Sequence, residues 1–330
     1  MKLISCSESI PVRYDHNDER NVETIFGLND NNEIIQYTTF QFVIHPDIEA
    51  LQQAINARQK TIEIDKGFLY YSFRYQISFG HYMCQTVPLL YEYKTHYATK
   101  GYKLLVPKNH HNLFQQRLLE LVGISEEHIF VLSDDAFYEI VELAPRRRWH
   151  HSCIPDGYTH DHLQAWNMIR QGLFQTIGLT NIVGPKTRKV YLKRDQATNT
   201  QYGNTEIGIL RQISNENELI EHLKSRGFEI IWLGDKSIDE KARLLSNIDI
   251  LITPWGSNCF NLIFSSSPKR MFMFGNDRSF GGDYFRRMSE VLNNSYIDYK
   301  SKYYNIDGKI IDPTNGSNAS FYVDLNDFEY

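Results

Sequence analysis

The sequence is poor in cysteine and has no long apolar segment. Its four cysteines are scattered without a Cys-x-x-Cys pair, which favours free thiols in a reducing compartment over a disulfide framework or a zinc ribbon. No apolar run approaches the roughly 20 residues that a membrane-spanning helix needs, and the first residues lack the apolar core of a signal peptide. These absences predict a cytoplasmic protein, with peripheral contact at the inner face of a membrane left open.

An excess of charge of one sign is also missing. The chain carries 35 Lys and Arg against 40 Asp and Glu, a net charge of −5, which gives no reason to expect nucleic acid as a partner. No two aspartates are spaced as Asp-x-Asp, the arrangement that clamps a metal ion on a diphosphate. No metal and no cofactor are therefore expected. A bound diphosphate would need cationic side chains or backbone N–H groups instead.

Strands and helices are predicted to alternate in two blocks, which indicates an α/β protein with two Rossmann-like domains facing a central cleft. Residues 1–150 begin polar and loop-like and then alternate, which predicts an N-terminal domain. Residues 151–185 read as a crossover with one helix, and residues 186–293 alternate more cleanly as a C-terminal domain. Residues 294–330 read as a tail that could pack back on the N-terminal domain.

The segment Asp249–Phe264, DILITPWGSNCFNLIF, organises the second block. Its first five residues predict a buried strand that Pro254 ends, and Gly256 permits close backbone approach. A helix is expected from Asn258, capped by Ser257 or by Asn258 itself. Free N–H groups at such a helix start attract phosphate, although an ordinary strand-to-helix turn has the same pattern.

A second candidate, Arg194, lies just past the predicted strand Lys189–Leu192. In open α/β sheets, ligands bind outside the carboxyl ends of the strands. Arg194 and the turn after Asp249–Thr253 would both lie on that edge. A guanidinium binds phosphate bidentately, and the alternative for Arg194 is a surface salt bridge with Asp195.

Four segments in this order resemble glycosyltransferase family 61, including bacterial capsular-polysaccharide types. They are SFGHYMCQTVPLL at Ser78–Leu90, YLKRD at Tyr191–Asp195, Arg211 followed by NENEL at Asn215–Leu219, and WGSNCFN at Trp255–Asn261. The resemblance implies a GT-B-like fold and metal-independent, inverting transfer from a nucleotide-activated sugar, commonly a UDP-sugar. The partners it implies are a nucleotide-sugar donor and a saccharide or lipid-linked saccharide acceptor in surface polysaccharide biosynthesis.

The same resemblance suggests a donor-binding set in residues 186–293. Its members are Arg194, Arg211, Trp255, Gly256, Ser257, Asn258 and Asn261. Arg211 is either a second phosphate ligand or a solvated side chain. Trp255 stands where family members often carry histidine, so its indole either stacks on a base or sugar or packs at the sheet edge.

The acceptor side is expected in residues 1–150, around Gly80, His81 and Gln85. An imidazole with an ordinary pKa near 6.5 suits a base that takes a proton from an attacking hydroxyl. His81 is the candidate base, with sugar or phosphate binding and a buried structural role as alternatives. Gln85 stands where many members carry an acidic residue, and it can orient His81 but not titrate.

Three further patterns have plainer interpretations. Asn215 and Glu216 are interpreted as capping the helix that they begin. Arg146–Arg148 is interpreted as a solvated face, with a basic patch that meets an anionic acceptor or a membrane surface as the alternative. A polar cluster matches no metal-binding spacing and is interpreted as a linker; its members are His150, His151, Cys153, Asp156, His160, Asp161 and His162.

Two rival functions stay open at this point. Trp255 and Gln85 replace groups that titrate, which favours a non-catalytic nucleotide-binding or scaffold subunit of a polysaccharide assembly complex. The second rival is a metal-dependent hydrolase centred on the polar cluster. It predicts a stoichiometric bound metal ion and inhibition by chelators.

Overall fold

The structure is a computed structural model that describes residues 2–14, 19–28, 31, 34–35, 44–46, 48–58, 60–69, 79–107, 113–144, 160–179, 187–194, 213–254, 256–265, 270–275, 295–300, 302–304, 320–326 and 328. It divides into two compact units, Met1–Met168 and Ile169–Tyr330. The boundary falls inside one long helix, His160–Ile177, which belongs to the predicted crossover of residues 151–185.

The elements of the first unit are eight strands and four α-helices among the described residues. The strands are β1 (Lys2–Tyr14), β2 (Glu19–Leu28), β3 (Ile34–Ile35), β4 (Ile44–Pro46), β5 (Lys60–Leu69), β6 (Lys103–Pro107), β7 (Ile129–Leu132) and β8 (Ala136–Leu143). The helices are α1 (Ile48–Asn56), α2 (Phe79–His81), α3 (Val87–His96) and α4 (Leu113–Val122). Helix α5 is the long helix His160–Ile177, which runs into the second unit.

The second unit has seven described strands. They are β9 (Arg188–Lys193), β10 (Phe228–Trp232), β11 (Ile248–Pro254), β12 (Arg270–Gly275), β13 (Ser295–Lys300), β14 (Lys302–Tyr304) and β15 (Ser320–Tyr322). Its helices are α6 (Glu216–Ser225), α7 (Ile238–Leu244) and a 3₁₀-helix over Ser257–Phe264. The helix predicted near Tyr284–Asn293 lies outside the described residues.

The sheet of the first unit is mixed. Its order is β3-β2-β1-β8-β5-β6-β7, with β4 also paired to β1. Strands β8, β5, β6 and β7 are parallel, as a Rossmann-like fold requires, whereas β1 is antiparallel to β2 and to β8. The prediction that the first residues are loop-like is therefore wrong. Outer antiparallel strands can face water on one side, so a polar composition does not exclude them.

The sheet of the second unit is entirely parallel and has the order β10-β9-β11-β12-β13. The chain moves from β9 to β10 on one side and then to β11 on the other side of β9. This confirms the predicted α/β class, and it creates a topological switch point between β9 and β11. In the described part of the chain, no helix is both long and apolar enough to cross a membrane.

The described residues of the tail 294–330 complete the second unit. Strand β13 pairs with β12, while Val323 and Phe328 lie in the hydrophobic core with Phe272 and Phe274. The Phe328 ring packs against those of Phe272 and Phe274, at centroid distances of 6.4 and 5.1 Å. These apolar side chains of the tail thus fill part of the core against the second sheet.

Asn215 connects the tail to the start of α6. Its Nδ2 donates to the carbonyl of Val323 over 2.8 Å, and the Val323 N–H donates to its Oδ1 over 3.1 Å. Asn215 occupies the N-cap position, but its side chain makes no capping hydrogen bond. The capping interpretation of Asn215 is therefore wrong, because the buried backbone of Val323 takes both groups of the amide.

Replacing Asn215 with alanine is expected to lower the free energy of unfolding by about 2 kcal/mol, because it leaves a buried N–H and a buried carbonyl of Val323 unpaired. Urea unfolding followed by circular dichroism measures this loss. Asn217→Ala is the control, because Asn217 is exposed on the same helix. Equal unfolding midpoints for the two variants would show that the pairing is not stabilising.

Candidate functional site

The switch point of the second sheet holds the residues that the sequence singled out. Arg194 directly follows β9, and the turn at Gly256 follows β11. The strands run in register, with Ile252 of β11 beside Tyr191 of β9, so they end at the same level. Ligands of open parallel sheets bind in the crevice at this position, because the chain leaves the two neighbouring strands in opposite directions.

Arg194 lies directly against Gly256. A Cβ built on Gly256 would stand 3.6 Å from Nη1 and 3.8 Å from Cζ of Arg194. Burial lowers the pKa of the Arg194 guanidinium, and the neighbouring Cys259 thiol opposes this shift. Guanidinium ionises far above neutral pH, so the group remains a cation in a partly dehydrated setting. Asp195, the alternative partner that the sequence offered, lies outside the described residues.

The backbone of Gly256 has a conformation that favours glycine. Its φ of 138° and ψ of −165° fall in a region that side chains other than hydrogen rarely enter. Gly256 is also the N-cap residue of the 3₁₀-helix Ser257–Phe264, which has no side-chain capping bond. The helix predicted from about Asn258 is therefore present, as a 3₁₀-helix, but Gly256 occupies the N-cap position that was predicted for Ser257 or Asn258.

Two asparagines hold the turn in place and explain its helix type. Asn258 Nδ2 donates to the carbonyl of Lys193 over 3.2 Å, which ties the turn to the end of β9. Asn261 Nδ2 donates to the carbonyl of Asn258 over 3.0 Å and to its Oδ1 over 3.2 Å. The amide of Asn261 thus takes an acceptor that an α-helix would reserve for the backbone four residues on. Among the described residues, Asn261 Oδ1 is buried with no hydrogen-bond partner.

Glu216, the first residue of α6, contacts two side chains near the end of β9. It accepts a hydrogen bond of 2.8 Å from the Tyr191 hydroxyl, and its other oxygen lies 3.7 Å from Lys193 Nζ. Burial, with Glu216 as the next cause, raises the pKa of Tyr191, so this hydroxyl stays a donor at neutral pH. The capping interpretation of Glu216 missed this role. The composition of β9 contained a signal, since Tyr191 lies within an apolar run and a buried phenol needs a hydrogen-bond partner.

The acceptor-side candidates lie on an irregular helix of the first unit. Phe79–His81 form its first turn, Tyr82–Thr86 form a π-helical turn, and α3 continues from Val87 with Pro88 in its first turn. The π-helical turn thus ends two residues before Pro88. Gly80 is buried. Turns of this type inside α-helices are rare and occur frequently at functional sites.

Two side-chain contacts within the first unit hold this irregular helix in place. Trp166 of α5 donates its indole N–H to the carbonyl of Met83 over 3.0 Å, within the π-helical turn. Tyr82 packs edge-on against Phe114 of α4, at a centroid distance of 5.3 Å. His81 and Gln85 belong to this helix by their backbones, and their side chains lie outside what the structure describes.

Several other predictions also fall outside the described part of the chain. They concern Arg211, Trp255, the side chain of Ser257, the Arg146–Arg148 run and the side chains of the polar cluster at His150–His162. Within the described residues, no group of three or more His, Cys, Asp or Glu side chains is placed to hold a metal ion. Of the donor set, the structure brings together Arg194, Gly256, Asn258 and Asn261.

Arg194 and the buried Gly256 turn thus lie together at the switch point of the parallel sheet, the position where open α/β sheets bind ligands. The chain belongs to the Glycosyltransferase 61 family, whose profile matches residues 79–272, more than half of the 330 residues. The match spans the irregular helix at Phe79 and the turn at Gly256. No curated protein matches the chain. Family membership supports transfer of a sugar from a donor to an acceptor.

Proposed function

We propose that the protein is an inverting glycosyltransferase that moves a sugar from a nucleotide diphosphate donor, with UDP as the nucleotide, to a saccharide or lipid-linked saccharide. Its place is in surface polysaccharide biosynthesis on the cytoplasmic side of a membrane. In this proposal the two units form a GT-B arrangement, with the donor on the second unit and the acceptor on the first.

One observation carries the donor part of the proposal. The Arg194 guanidinium lies against the Gly256 backbone at the switch point of a parallel sheet. A fixed cation beside the start of a helix complements a diphosphate, because both the charge and the N–H groups face the oxygens. Proteins that lack a metal clamp need such groups to stabilise a departing diphosphate.

The proposed reaction is a single displacement. The acceptor hydroxyl oxygen forms a bond to the anomeric carbon, while the bond from that carbon to the diphosphate oxygen breaks. His81 takes the hydroxyl proton, and the nucleotide diphosphate leaves with the electron pair of the broken bond. Arg194 and the N–H groups after Gly256 stabilise the negative charge that develops on the leaving oxygen.

The test is calorimetric binding of nucleotide diphosphates and nucleotide sugars in the presence of EDTA. We expect saturable binding of UDP and UDP-sugars without metal. Arg194→Ala is expected to weaken it about 10- to 100-fold, because a charge-assisted bidentate contact is lost. Arg243→Ala is the matched control, since this exposed arginine lies at the end of α7, and the one hydrogen bond described for its side chain goes to the Ile177 carbonyl.

The outcomes separate the rival functions. If no nucleotide diphosphate binds in EDTA, the metal-free donor site is wrong. If binding returns only with a divalent cation, metal independence is wrong while the transferase survives. Donor binding without any sugar transfer to a panel of saccharide acceptors would favour the non-catalytic scaffold subunit.

A further inference from the structure

Trp232 is an exposed aromatic side chain beside the proposed diphosphate site. It is the last residue of the edge strand β10, and its side chain is 41% exposed. The neighbouring residues of the same strand and loop, Ile231 and Leu233, are buried. The exposure is therefore local to one indole at the carboxyl end of the strand.

The indole of Trp232 lies over the loop beyond the strand. A Cβ built on Gly234 would stand 2.6 Å from Cζ2 and 2.7 Å from Cε2 of Trp232, closer than any side chain allows. Gly234 therefore provides the space that lets the ring lie across the backbone at the carboxyl edge. The Lys236 ammonium stands 6.0 Å from the ring centroid and is itself paired with Asp235.

The position of this ring relative to Arg194 follows from the strand register. Trp232 pairs directly with Lys193, the residue before Arg194, in the parallel β10–β9 ladder. Neighbouring strands are about 4.8 Å apart, so the ring stands one strand away from the arginine and about two strands away from the turn at Gly256. A nucleoside attached to a diphosphate at Arg194 and Gly256 would extend over β9 and reach the indole.

We propose that Trp232 is the platform on which the nucleobase of the donor stacks. This inference rests on the proposed function, because it takes the diphosphate to lie at Arg194 and Gly256. Stacking between a base and an aromatic ring accepts any base, since every base has a π-face. Trp232 thus supplies affinity for the nucleoside end of the donor, while the arginine and the turn hold the phosphates.

The experiment compares UDP with inorganic pyrophosphate, which has the same anionic group and no nucleoside. Calorimetry in EDTA is run on the unmodified chain and on Trp232→Ala, Trp232→Phe and Gly234→Ala. Trp232→Ala is expected to weaken binding of UDP about 10- to 100-fold and to leave binding of pyrophosphate unchanged. Trp232→Phe is expected to keep most of the affinity for UDP. Gly234→Ala is expected to resemble Trp232→Ala, because its methyl group displaces the indole without removing it.

Each outcome supports the stacking proposal or overturns it. Equal weakening of UDP and pyrophosphate in Trp232→Ala would show a general disturbance and overturn it, as would unchanged UDP affinity. If the UDP affinity of Trp232→Ala is unchanged, the proposed function still stands provided that Arg194→Ala loses binding of pyrophosphate. If the unmodified chain binds neither ligand, the donor site and the stacking platform are both wrong. Thermal melts of the three variants show that each is folded.

Discussion

His81→Ala is expected to abolish sugar transfer while donor binding persists. A positioned general base contributes about 10²- to 10⁴-fold to a rate, so kcat should fall by that factor. The dissociation constant for UDP should stay unchanged, because the proposed phosphate ligands all lie in the second unit. The measurement is UDP release from the donor that binds most tightly, in the presence of a saccharide acceptor panel.

His96→Ala is the matched control for this variant. His96 lies in the last turn of α3, on the same run of helix, and is exposed. It should turn over like the unmodified chain. If His81→Ala transfers sugar at the rate of the unmodified chain, His81 is not the general base. A rise in the UDP dissociation constant in that variant would instead make His81 a donor-binding residue, the alternative that the sequence left open.

Gly256→Ala is expected to destabilise the protein by about 1–3 kcal/mol and to lose detectable binding of nucleotide diphosphates. The first effect follows from a φ of 138°, which alanine rarely adopts. The second follows from the methyl group itself, which would stand 3.6 Å from Arg194 Nη1, on the side where the proposed diphosphate meets the guanidinium. Thermal melting and calorimetry with UDP measure the two effects separately.

Gly227→Ala separates backbone strain from a local effect on binding. Gly227 also has a positive φ, of 80°, but a Cβ there would meet nothing within 4 Å. This control is expected to lower stability by about 1–2 kcal/mol and to bind UDP normally. If Gly256→Ala binds UDP as well as Gly227→Ala does, the diphosphate does not lie beside Gly256.

The parts of the site that the sequence predicted are those with local signals. A β-branched apolar run that ends at Pro254, with Gly256 two residues further on, predicted the end of β11 and the close approach at Gly256. A predicted strand with an arginine just past its end predicted the location of Arg194 on the same edge. Arg194 and Gly256 lie side by side only because β9 and β11 are neighbours in the sheet. The order β10-β9-β11 is a property of the whole unit.

The features that the sequence did not predict depend on long-range contacts or on competition between close alternatives. Asn215 reads as a helix cap, and its actual partner stands 108 residues away. The bond from the Asn261 side-chain amide to the Asn258 carbonyl is a contact that hydrophobic periodicity does not report. Strands β1 and β2 were not predicted because antiparallel strands can carry polar residues on a face that meets water.

The contribution of Val323 and Phe328 to the core of the second unit has a consequence for biosynthesis. Strand β13 and these two side chains complete that core, so the unit that carries Arg194 can finish folding only after the ribosome has passed residue 328. The first unit contains its own sheet and can fold while the rest is still being translated. During that interval the nascent chain would present an incomplete parallel sheet with uncovered phenylalanines, the stage at which chaperone binding matters most.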